Sequence, residues 1–315
     1  MNHVKNYLSL IKFSHTIFAM PFALIGFFLG MARLDQLYGI LPAGDHQWNL
    51  NTAIAVVPGW WTATTNHLLL KFILVLLCMV FARSAAMAFN RYLDRHWDAL
   101  NPRTAIREIP RGIITPKNAL AFTIINCLLF VGATFLINRI CFFLSPVALA
   151  VVLGYSYTKR FTPLCHLILG LGLSLAPIGA FLAVTGEFHW LPILFSIAVV
   201  CWVSGFDIIY ALQDVDFDQS QKLYSIPVWL GKEKALGVSE LLHLLSAGAV
   251  VAAGKLGGFG WLYWLGVLVF ISCLVYQHSI VRPNDLRRVN LAFMTTNGIA
   301  SVVFAVFVIT DLFVH

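Results

Sequence analysis

The chain has 315 residues, of which 59% are hydrophobic and 11% charged, with 21 lysines and arginines against 14 acidic residues. Soluble domains carry about 25% charged residues, so this composition excludes an ordinary water-facing surface and selects lipid as the solvent. The net charge of +7 carries no nucleic-acid signature, because the basic residues are dispersed among the loops.

Apolar runs of membrane-spanning length fall near 13–33, 69–93, 118–138, 140–158, 164–184, 189–213, 235–254, 259–279 and 290–311. The expected fold is therefore all-α, a multi-pass bundle of about nine transmembrane helices forming one domain over residues 1–315. The seventh run is the weakest, interrupted by Glu240 and His243, which read as a local polar pair. The first connection, 35–67, is long and holds Pro42, Pro58, Trp48, Trp60 and Trp61, the composition of an interfacial loop.

Basic residues set the orientation. With the N-terminus inside, sixteen fall on inner segments and four outside (Arg33, Lys71, Arg139 and Lys255), leaving Arg83 within a span. The six cysteines show no CxxC spacing and read as small apolar residues.

Two acidic clusters stand at inner helix ends. In the first, Asn90, Asp94 and Asp98 recur every four residues and share one helical face, with Arg83 seven residues earlier on nearly the same face. In the second, Asp207, Asp214 and Asp218 share a face, while Asp216 points away. The clusters are four spans apart, which suggests two similar four-helix halves plus a ninth helix. Carboxylates at i,i+4 repel one another, so two such stripes call for a neutralising ligand. Mg²⁺ takes oxygen ligands and is commonly shared between carboxylates and phosphates. Two aspartate stripes flanked by Arg83, Lys159 and Arg160 therefore form a receptor for Mg²⁺–diphosphate. Helix capping and surface charge account for any single aspartate, but not for an arginine within a span, where charges are generally paired and functional.

At these residues the chain resembles the UbiA superfamily of intramembrane prenyltransferases, whose NxxxDxxxD and DxxxD motifs stand here as Asn90/Asp94/Asp98 and Asp214/Asp218. Further matching stretches are Asn101–Thr104, Ile109–Gly112 and Tyr155–Thr162, with Asp207 and Tyr210 before the second motif. The stretches around Ser14–Pro21 and Gly205–Asp214 are similar to the bacterial 4-hydroxybenzoate polyprenyltransferase group, which includes relatives acting on a dihydroxynaphthoate in the futalosine route to menaquinone. The resemblance implies Mg²⁺-dependent transfer of a polyprenyl chain from its diphosphate to an aromatic quinone precursor, for ubiquinone or menaquinone, with the acceptor left open between the two. It implies Asp94, Asp98, Asp214 and Asp218 as metal ligands. Asn90, Arg83, Lys159 and Arg160 are implied at the diphosphate.

Tyr155, Tyr157, Phe206 or Tyr210 would face the allylic cation. Asp207, about 10 Å deeper than Asp214 along a helix, would either accept the acceptor's phenolic proton or neutralise Arg83. His15 reads as a structural histidine that touches the acceptor at most. The expected location is the cell's inner membrane, with the site toward the cytoplasm. The competing class is a secondary transporter, but transporter sites tend to lie mid-membrane at broken helices, whereas these acids stand at helix ends.

Overall fold

The computed structural model describes residues 2–11, 18–38 and 68–315. His15, and the 35–67 connection from residue 39 onward with its three tryptophans, lie outside the described residues. The chain builds a short helix α1 (Asn2–Leu10), then α2 (Met20–Tyr38), α3 (Leu68–Leu100), α4 (Pro116–Ile137), α5 (Arg139–Thr158), α6 (Cys165–Thr185) and α7 (Trp190–Ala211). A 3₁₀ turn at Leu212–Asp214 leads into α8 (Val215–Ser220), followed by α9 (Ile226–Leu230), α10 (Lys232–Gly257) and α11 (Trp261–Ile280). A π-helical turn (Leu291–Thr296) opens α12 (Asn297–Val314). Eight helical segments are long and apolar enough to cross a membrane, and Met20–Leu34 forms a shorter apolar helix beside them. No named strand occurs among the described residues; the sole extended pairing is an isolated bridge between Arg282 and Asp285.

Local sequence explains the joints. Thr115 accepts from the Asn118 N–H and Pro116 occupies the first turn of α4, where its missing N–H costs nothing. Asn138 closes α4 and starts α5, its side chain accepting from Cys141 N at 2.9 Å while donating to Leu182 O at 2.7 Å. One side chain thus joins three helices.

Helix association in lipid depends on close packing and interhelical hydrogen bonds. A Cβ at Gly26 would collide with the backbone of Pro177, and one at Gly170 with Ser204 Oγ and Val200 O, so glycine sets the approach of α2 to α6 and of α6 to α7. Trp202, Phe22, Phe195, Phe270 and Phe304 form a fully buried aromatic core among α2, α7, α11 and α12. The Trp202 indole N–H donates to Asn297 Oδ1 at 2.9 Å, satisfying the ring's polar atom inside that core.

Two readings of the sequence need correction. Glu240 is exposed, and His243 bonds across to α11 instead, its Nδ1 lying 2.8 Å from His278 Nε2. The Asp207–Asp218 segment is not one uninterrupted helix, because the 3₁₀ turn shifts the phase at Asp214.

Candidate functional site

Helix α3 runs through the whole first acidic motif without a break, so the expected stripe is real: Asn90 donates to Asp94 Oδ2 at 3.0 Å on one face. The second motif reaches the same place from α7 and α8. Asn90, Asp94, Asp98, Asp207, Asp214 and Asp218 all line one cavity of about 260 Å³. Asp216, by contrast, is exposed.

Each of the four motif aspartates is held by a base. Arg160 Nη2 lies 3.2 Å from Asp94 Oδ1, and Arg107 Nη1 lies 2.5 Å from Asp98 Oδ1. Arg103 forks onto Asp214, with Nε 3.0 Å from Oδ1 and Nη2 on Oδ2. Lys159 Nζ stands 2.8 Å from Asp218 Oδ2. The pairs cross between the halves: Arg103, from the connection after α3, binds the second motif, and Lys159, at the end of α5, does likewise. Carboxylates too expensive to bury unpaired are thereby neutralised by ion pairs that a stronger ligand can displace. Burial opposes the charge on Lys159, but the Asp218 carboxylate outweighs it and holds the ammonium charged above the ordinary lysine range. Burial likewise opposes the Arg103 charge, and Asp214 with Tyr210 reverses the balance.

Sequence reasoning gave no role to Arg91, Arg103 or Arg107, all of which line the cavity. Only Arg103 carried a signal, within the Asn101–Thr104 stretch, and nothing in the sequence stated which carboxylate it would meet. Arg83 behaves differently from expectation. It lines a neighbouring apolar cavity of about 410 Å³ rather than the acidic one, and its buried Nε has no hydrogen-bond partner. Met87, Tyr155 and Leu169 line both cavities and form the partition between them. The expected alternative of an Asp207–Arg83 pair is not formed; Asp207 Oδ2 lies 2.7 Å from His166 Nδ1. His166 carried no signal in the sequence beyond its place after the Lys159–Arg160 stretch.

Of the aromatic candidates, Tyr155 and Tyr210 line the acidic cavity. Arg103 Nη1 donates to the Tyr210 hydroxyl at 2.8 Å, with its guanidinium 5.2 Å from the ring centroid. The other two do not reach it. Tyr157 is exposed and packs on Arg160 and Phe89, and Phe206 is buried between Trp202 and Phe293.

The donor set suits a hard cation. Asp98 Oδ2 is sealed from solvent without a hydrogen bond, the Arg91 guanidinium standing 4.0 Å away and Arg107 engaging the other oxygen. An orphaned carboxylate oxygen of this kind is the sort of ligand Mg²⁺ accepts. No three His, Cys, Asp or Glu side chains among the described residues converge tightly enough to form a ready-made metal cluster, in keeping with carboxylates drawn apart onto their bases.

The described residues thus form an all-helical bundle of membrane-spanning length in which two aspartate motifs line one cavity, the architecture of an integral membrane protein. Residues 51–299 match the UbiA prenyltransferase family, and the chain belongs to it; it is a prenyltransferase. It is 30% identical over 281 residues to the 4-hydroxybenzoate octaprenyltransferase of Aeromonas salmonicida, covering 88% of this chain and 93% of that one. It is also 30% identical over 279 residues to the enzyme of the same name from Xylella fastidiosa, covering 87% and 89%. Among solved structures, the apo UbiA homolog of Aeropyrum pernix K1 matches with a TM-score of 0.71 at 27% identity, over 93% of this chain and 95% of that one. A UbiA homolog of Archaeoglobus fulgidus bound to DMAPP and Mg²⁺ shares the fold, with a TM-score of 0.69 at 19% identity over 98% and 100%.

Proposed function

We propose that this prenyltransferase moves a polyprenyl chain from its diphosphate to 4-hydroxybenzoate or a closely similar phenolic acceptor, in ubiquinone biosynthesis, at the cytoplasmic side of a bacterial inner membrane. The observation that carries this reading is the acidic cavity itself, in which four motif aspartates and their displaceable bases adjoin an apolar chamber. The names of the curated relatives support the acceptor. Residues 1–315 act as a single domain in this reading.

Asp94, Asp98, Asp214 and Asp218 hold Mg²⁺, assisted by Asn90. The metal, when bound, neutralises the diphosphate and its departing charge. Lys159 and Arg160, with Arg103 and Arg107, turn from the carboxylates to the phosphate oxygens as donor binds. The C1–O bond of the prenyl diphosphate breaks with its electron pair leaving on oxygen. A ring carbon of the acceptor bonds to C1, the released diphosphate accepts the proton from that carbon, and the phenolate oxygen of the product takes back the proton that Asp207 had accepted. Tyr155 and Tyr210 face the allylic cation.

Asp207 takes the phenolic proton, which makes the ring a stronger nucleophile. Arg83, on the far side of Tyr155 from the four phosphate bases, takes the acceptor's carboxylate, since its free Nε is already desolvated and unpaired. The apolar chamber shields the prenyl tail, and burying each methylene there contributes about 0.8 kcal/mol.

The test is to incubate membranes containing the chain with Mg²⁺ and a polyprenyl diphosphate, offering 4-hydroxybenzoate and a dihydroxynaphthoate separately. Prenylated hydroxybenzoate identified by mass supports the reading. Product from the naphthoate alone reassigns the acceptor to menaquinone synthesis, and no product from either rejects the reading.

A further inference from the structure

His166 is the first-turn residue of α6 that the reaction so far leaves without a role. It is 1% exposed, yet it sits at the wall of the acidic cavity. A buried, ionisable side chain inside a span carries a cost that calls for a purpose. Its two ring nitrogens are both engaged. Nε2 accepts from the Ile226 N–H at 3.4 Å, which leaves the ring proton on Nδ1 to donate to Asp207 Oδ2 at 2.7 Å.

The backbone at His166 is held close to α7 as well. Ser204 Oγ shares its proton between Val200 O at 2.6 Å and the His166 carbonyl at 3.1 Å, and Gly170, one turn further along α6, admits the backbone of Val200 at close range. Asp207 is on the same helix as Ser204, three residues later. The two helices thus lock His166 and Asp207 in register.

Asp207 is held on one side only. Its side chain is 23% exposed against 2% for His166, and no described residue donates to Oδ1. A carboxylate with one oxygen tied to a buried imidazole and the other open to a substrate cavity is oriented like a general base. We propose that His166 is the positioning residue for Asp207, holding its free oxygen toward the phenolic hydroxyl of the acceptor. This rests on the acceptor role of Asp207 proposed above. The proton on Nδ1 stays on His166 throughout, and the phenolic proton goes to Asp207 Oδ1.

The experiment uses the full purified chain with Mg²⁺, a polyprenyl diphosphate and 4-hydroxybenzoate, and compares His166→Leu, His166→Asn, Asp207→Asn and the double variant His166→Leu/Asp207→Asn. Turnover, acceptor KM, prenyl diphosphate affinity and melting temperature are measured for each. Loss of a group that orients a working carboxylate has an expected scale of about ten- to a hundredfold, so His166→Leu loses that much turnover with donor affinity unchanged. His166→Asn recovers most of it, because its amide N–H stands near the former Nδ1–H. In the Asp207→Asn background, His166→Leu costs nothing more, the non-additivity of two residues acting as a unit.

Additive losses in the double variant, or equal loss in the Leu and Asn variants, overturn the proposal. So does loss of donor affinity alongside turnover. Should His166→Leu fail to fold, His166→Phe replaces it and keeps the ring's volume. An Asp207→Asn variant turning over at the parent rate overturns the acceptor reading instead, which separates the two failures.

Discussion

At the scale of single residues, the site is a set of charges exchanged between partners. Asp98 and Asp218 are buried and paired in this structure, while Asp216, between the two aspartates of the second motif, faces solvent. Asp98→Asn and Asp218→Asn should each abolish turnover, and Asp216→Asn should leave it within about twofold, as surface substitutions usually leave function and stability nearly unchanged. A side-by-side turnover assay checks this, and equal loss at Asp216 would contradict the assignment of faces. Arg83 offers a sharper division. On the present reading, Arg83→Leu raises the acceptor KM about ten- to a hundredfold, the scale of a hydrogen bond to a charged group, and spares prenyl diphosphate affinity. Loss of donor affinity would return Arg83 to the diphosphate, where the phase of the sequence had put it.

At the scale of elements, the connection between α3 and α4 matters as much as the helices it joins. It delivers Arg103 to Asp214 and Arg107 to Asp98, and Thr104 anchors it by donating to Asp98 O at 3.0 Å. Arg103→Ala should therefore weaken prenyl diphosphate binding while the bundle stays folded, measurable as donor affinity beside melting temperature; unchanged affinity would remove Arg103 from the phosphate site. The contact of α2 with α6 sets the bundle's geometry through Gly26, where a Cβ meets the Pro177 backbone. Gly26→Val should lower stability by about 1–3 kcal/mol, the usual cost of overpacking, read as a fall in melting temperature.

These elements also show what a sequence carries. The i,i+4 recurrence of Asn90, Asp94 and Asp98 on an unbroken helix was readable because helical phase depends only on neighbours in the chain. The crossed pairs Arg103–Asp214 and Lys159–Asp218 were not, since they join residues 111 and 59 positions apart. Periodicity says nothing about which loop folds over which motif. Tyr155 and Tyr210 stand ahead of Tyr157 and Phe206 already in the sequence, but only packing shows that Tyr157 is exposed and Phe206 lies in the core, while Tyr155 and Tyr210 line the cavity. His166 was missed for the same reason, as its meaning lies wholly in its contact with Asp207.

At the scale of the whole molecule, the sequence expectation of basic residues on the inner loops, with the N-terminus inside, is a topology that reporter fusions test. A reporter fused after His315 should report the external side and one inserted in 95–116 the cytoplasmic side; agreement of both on one side would break the count of nine crossings. The central claim is that the two aspartate motifs together form a Mg²⁺–diphosphate site. Its most direct test is titration calorimetry of the purified chain with a non-reactive prenyl thiolodiphosphate, with and without Mg²⁺. The account predicts Mg²⁺-dependent binding that EDTA abolishes, that Asp98→Asn and Asp218→Asn each lose, and that Asp216→Asn keeps. Binding of equal strength without Mg²⁺, or binding that survives both substitutions, would contradict it.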